Sequence, residues 1–109
     1  MRKKVFFSHL IEVDPLIMLV EEILQAEKEK LEILDMIDST LHHRIVDRIL
    51  QELDEQHHEI FMHEYSQNPS NEEILVFLKK QIPDIEKVIC NEAQLTQASL
   101  FEDIKKLKK

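Results

Sequence analysis

The 109-residue sequence has no glycine, three prolines (Pro15, Pro69 and Pro83) and one cysteine. Glycine supplies the positive-φ residues of tight hairpins, the backbone of phosphate-cradling loops and most left-handed helix caps. Without it, short strand hairpins, the Walker loop, the dinucleotide-binding turn and the nucleophile elbow are all disfavoured. An all-α chain is what remains. Cys90 stands alone, so no internal disulfide can form, an oxidising compartment gains no support, and a cytoplasmic location is expected. Long apolar runs are missing too: Leu16 to Val20 is as long as any, far below the roughly 18 residues of a membrane span. The opening MRKKVFFSHLIEV sets a basic stretch before an apolar one, as a secretory signal does. Ser8 and His9 interrupt it, Glu12 and Asp14 end it, and no small-residue cleavage site follows.

Apolar residues make up 43% of the chain, enough for a folded core and too many for a disordered acidic tail. The formal net charge is −8, and it is unevenly placed. Arg2, Lys3 and Lys4 open the chain, and Lys105, Lys106, Lys108 and Lys109 close it; residues 5–104 hold all 22 carboxylates against seven Lys and Arg, a net of −15. Nucleic-acid backbone binding rests on clustered Lys and Arg, so an acidic body argues against it.

Asp14-Pro15 predicts a helix start, with Asp14 as the cap and Pro15 at the first helical position. No proline follows until Pro69, yet one helix over that length would run about 75 Å at about 1.5 Å per residue, too long for a compact chain of this size. The apolar pattern predicts two breaks, one over the polar stretch Gln25 to Lys30 and one over Asp54 to Glu59, with Asp54 as a cap. Between them Leu31, Leu34, Ile37, Leu41, Ile45, Ile49 and Leu53 fall on one helical face. Ile60, Phe61 and Tyr65 form a shorter stripe that ends at the Asn68-Pro69 turn. Ser70 and Glu73 have capping-box spacing before Ile74, Phe77 and Leu78. Pro83 ends that helix, and Asp84 opens a last one carrying Ile85, Ile89, Ala93, Thr96, Leu100, Ile104 and Leu107, with a joint at Ser99, which has capping-box spacing to Glu102. The expected fold is a compact antiparallel bundle of four main helices with an additional short N-terminal helix. It is read as a single helical domain over residues 1–109, with short basic ends at 1–4 and 105–109.

The histidines are the one constellation with metal-binding chemistry, because five of the six lie between His42 and His63. Asp38 and His42, His43 and Asp47, and Glu59 and His63 are each one helical turn apart. Glu55 and His58 have the Glu-x-x-His spacing of di-iron bundles, but such a bundle needs the motif twice and this chain has one copy. The segment from His58 to His63 is one residue too long for the zinc-protease motif, which turns His63 about 100° off the required face. Glu55, His58, Glu59 and His63 are therefore weak metal candidates, and no cofactor is expected. Of His42 and His43, one is expected at the core edge and the other in water. Met18, Met36 and Met62 are expected to fill gaps in a helical core, and Cys90 to be a buried inert thiol.

The run Leu41-His42-His43-Arg44-Ile45-Val46-Asp47-Arg48-Ile49-Leu50, then Leu53, Phe61, Ile74-Leu75-Val76-Phe77-Leu78-Lys79 and Ile82-Pro83-Asp84, resembles a family of small all-helical bacterial proteins, a domain of unknown function. The resemblance spans about residues 27–92 and leaves the first 26 residues unaligned. It implies a helical fold and no particular activity. The residues themselves point to a non-enzymatic, acidic protein–protein interaction module that self-associates to cover apolar surface at Phe6, Phe7 and Leu16 to Val20. Two other readings stand beside it. One is an acidic inhibitor or nucleic-acid mimic that binds a basic protein surface, and the other is a His/carboxylate metal-binding bundle.

Overall fold

Helices without glycine lack the usual left-handed cap residue, and the way they end sets the path of this chain. The computed structural model describes residues 4–107. It contains a single-turn 3-10 helix at Ser8–Leu10 and five α-helices: α1 Asp14–Ile23, α2 Glu27–Glu52, α3 Glu55–Gln67, α4 Glu72–Gln81 and α5 Ile85–Lys105. Among the described residues there is no strand, and no residue has a positive φ. Leu24, Leu53 and Ile82 end α1, α2 and α4 by turning to extended backbone while their N–H groups still donate to the carbonyl four residues back. Leu53 and Ile82 are buried and Leu24 is half-buried, so an apolar anchor stands where a glycine cap would otherwise be.

Several boundaries differ from expectation in instructive ways. The first break is confined to Leu24–Ala26, because Glu27–Lys30 already form the first turn of α2. Glu27 and Glu29 suit a helix N-terminus, where the macrodipole favours negative charge, and a polar first turn reads in sequence like a gap. A Lys30 Nζ to Glu21 Oε2 hydrogen bond of 2.9 Å spans that break, and it raises the lysine pKa. Asp14 is the first residue of α1 and Val13 its cap, while Asp54 and Asp84 occupy cap positions without a side-chain cap bond. Ser70 is not the cap of α4. Asn71 is, accepting from the Glu73 N–H at 3.0 Å, while the Ser70 hydroxyl donates to Asn68 Oδ1. Asn71→Ala is expected to cost about 1 kcal/mol in a urea titration, whereas Ser70→Ala, which removes only an exposed bond, should change stability little. No joint interrupts α5 at Ser99.

α5 is the central element, packing most extensively on α2 and also on α1, α4 and the 3-10 turn. Its stripe from Ile85 through Ile104 is buried, as are Ile37, Leu41, Ile45 and Ile49 of α2. The stripes run out at Leu31 and Leu107, which are exposed. The largest departure concerns the N-terminal apolar residues. Phe6, Phe7, Leu16 and Val20 lie in the core of the single chain and are not apolar surface awaiting a partner, while of the run Leu16 to Val20 Met18 is exposed and Ile17 and Leu19 are half-buried. The Phe6 N–H donates to the Pro69 carbonyl at 2.8 Å, and its ring meets Phe7, Phe61 and Tyr65 edge-on at 5.0, 6.2 and 6.0 Å. This segment therefore ties the start of the chain to the α3–α4 turn.

Candidate functional site

The histidine and carboxylate candidates Glu55, His58, Glu59 and His63 all lie on α3. Glu55, Glu59 and His63 are exposed. His58 is half-buried, and its Nε2–H donates to the Leu53 carbonyl at 2.8 Å, which completes the end of α2. Its ring thus serves as a backbone cap at the α2–α3 joint. Among the described residues, no group of three or more His, Cys, Asp or Glu side chains is placed to hold a metal ion.

A second polar cluster lies where α2 meets α3 and the N-terminal segment. Asp38 Oδ1 is 3.4 Å from His42 Nε2, both side chains are largely covered, and Phe7 packs edge-on to the imidazole at 5.6 Å. His42 sits at the core edge and His43 is exposed, as their adjacency predicts. Burial, and secondarily the charge of Asp38, raises the Tyr65 pKa above its ordinary value. Tyr65 also stacks on Phe61 at 5.9 Å. Aromatic rings enclose this cluster, and it holds the N-terminal segment against α2. Cys90 is half-buried on α5 with its Sγ 3.5 Å from the Leu10 carbonyl, which joins the 3-10 turn to α5.

The methionines do not fill the core. Met18, Met36 and Met62 are all exposed, and Met36 accepts a weak hydrogen bond from the Thr40 hydroxyl within α2. Apolar surface gathers instead between α3 and α4. Ile60, Phe61, Ile74 and Phe77 line an open groove of about 240 Å³, and Glu64, Asn71 and Glu73 edge it. Ile60 is 50% exposed there, Phe77 is half-buried, and His57 supports Phe77 from the side at 5.9 Å. Glu64 and Glu73 are exposed, and among the described residues neither has a Lys, Arg or His partner. A groove between α2 and α5 has a different character, since Arg48, Glu52, Asp84, Lys87 and Glu92 mix both signs of charge along it.

Ile60 and Phe77 both belong to stripes legible in the sequence, but their exposure was not. Successive residues of a helix point about 100° apart, so Ile60 and Phe61 cannot share one buried line; Phe61 is enclosed and Ile60 faces the groove. Such adjacent apolar pairs in a short helix are the signal that marks the site.

No protein-family model, curated protein or solved structure matches this chain. The functional reading therefore rests on the geometry of the groove and on the distribution of charge. No helix among the described residues is long and apolar enough to cross a membrane.

Proposed function

We propose that this chain is a non-enzymatic, acidic helical interaction module. In this reading the helices form an antiparallel bundle that acts in the cytoplasm, and the α3–α4 groove grips a basic protein segment presenting one apolar side chain. The supporting observation is the half-exposed Ile60 in an apolar groove whose rim carboxylates, Glu64 and Glu73, have no cation of their own among the described residues. A leucine entering the groove leaves water, worth about 1.5–3 kcal/mol on full burial. Lysines beside it meet the rim, each exposed pair adding about 0.2–1 kcal/mol. These magnitudes describe a weak, rapidly exchanging contact of the transient class, in which charge sets the orientation and burial supplies most of the affinity. The acidic body draws basic partners and repels nucleic acid, so the second expected role, occupation of a basic protein surface, is contained in this one.

The test is a titration of the isotope-labelled protein, followed by NMR, with a short synthetic peptide in which a leucine is flanked by lysines. Amide shifts confined to Ile60–Glu64 and Ile74–Phe77 are expected, weakened by salt and abolished by Ile60→Asp. Shifts that are absent, or that the same peptide with glutamates in place of lysines reproduces, would overturn the proposal.

A further inference from the structure

We infer that the segment received by the α3–α4 groove is the basic C-terminal stretch of a second copy of this chain, Lys105-Lys106-Leu107-Lys108-Lys109; this rests on the groove being an interaction site. The two surfaces are complementary in charge and in apolar character. The groove asks for one apolar side chain with cations on either side, and this stretch places Leu107 between two pairs of lysines.

The other basic end does not meet the same requirement. Arg2, Lys3 and Lys4 are followed by Val5, Phe6 and Phe7, all of which are buried in the core, so the apolar residues that follow those cations are not free to enter a groove. Leu107, in contrast, is 49% exposed just beyond the end of α5. Among the described residues Lys105 meets Glu102 in an exposed 3.8 Å pair and the face of Phe101 at 5.7 Å, contacts weak enough to exchange for the rim of the groove.

Occupation within one chain is excluded by the same exposures. Both Leu107 and Ile60 stand about half in water, so the stretch does not fill the groove of its own copy. A second copy satisfies both at once. Two chains related by a two-fold axis can each insert their end into the partner's groove, giving two identical contacts that close without leaving a free site. The second contact forms intramolecularly once the first is made, which raises the affinity of an otherwise weak interaction. Two bodies that each carry a net charge of −8 repel one another, so association depends on the basic end finding the acidic rim.

Sedimentation velocity on the full chain, from micromolar to millimolar concentration, should show a mass above 13.0 kDa that falls back to the single chain with added salt. Ile60→Asp and Leu107→Asp each alter an exposed residue and should each give a folded monomer. The deciding measurement mixes them. Isotope-labelled Leu107→Asp retains an intact groove, and unlabelled Ile60→Asp retains an intact C-terminal stretch, so the mixture should regain one of the two contacts. Shifts at Ile60 and Phe77 of the labelled chain are expected only in the mixture. A wild-type chain that stays at 13.0 kDa at every concentration overturns the inference, and if the synthetic peptide still binds, the groove reading survives it. A dimer that Ile60→Asp and Leu107→Asp leave intact, or a mixture that gives no groove shifts, also overturns it.

Discussion

Phe7→Ala is expected to remove about 3–5 kcal/mol of stability, read as a lower urea midpoint with an unchanged slope. The side chain is wholly buried, although it precedes the first α-helix and follows a run of basic residues. Its ring lies 5.0 Å from Phe6 and 5.6 Å from His42, so truncation opens a cavity beneath the Asp38–His42 pair and exposes that pair to water. The Phe6 N–H bond to Pro69 remains in place, which limits how far the segment can settle into the space. Against a total stability of about 5–15 kcal/mol, the loss is a large fraction of what holds the chain folded. His9→Ala, an exposed change in the same segment, should stay within about 0.5 kcal/mol. A loss below about 1 kcal/mol for Phe7→Ala would mean that the N-terminal segment is not part of the core.

The second large effect is expected at Ile89, where truncation to alanine should cost about 2–5 kcal/mol. Ile89 is fully buried on α5, the helix that packs on α1, α2, α4 and the 3-10 turn. Leu95→Ala is the matched control, because Leu95 lies on the same helix and is 68% exposed. Alanine is the better helix former at both positions, so intrinsic propensity favours each variant slightly. The difference between the two therefore measures burial, and similar losses would contradict the placement of α5 at the centre. Both follow from thermal or urea denaturation by circular dichroism.

The long stripes of α2 and α5 were legible because a period near 3.6 repeated over many turns specifies a face regardless of what covers it. Pro69 and Pro83 marked the flanks of α4 for an equally local reason. What failed to show was tertiary in origin. Phe6 and Phe7 belong to no periodic element, so nothing local distinguishes a buried aromatic pair from an exposed one; only Pro69, Phe61 and His42, distant in sequence, settle it. Ser70 and Asn71 are both good caps by residue type, and the choice between them turned on one residue of backbone geometry. The methionines carried no directional signal at all, since a flexible thioether suits a core gap and an exposed turn equally. The histidine cluster was legible as composition. The capping contact of His58 with the Leu53 carbonyl was not, because it depends on how α3 turns away from α2.

The apolar anchors that end α2 and α4 bear on motion as well as on path. A glycine joint can swing while its neighbours stay packed, whereas Leu53 and Ile82 can turn only by withdrawing from the core. Bending at either joint is therefore coupled to the unfolding of the interior. Amide protons beside these two residues should exchange with solvent almost as slowly as those in the middle of α5. The break at Leu24–Ala26 is looser, since Leu24 is half-buried and a side-chain bond between Lys30 and Glu21 spans it. The α3–α4 joint has no such anchor of its own; the Phe6 N–H bond to the Pro69 carbonyl ties it to the buried N-terminal segment instead.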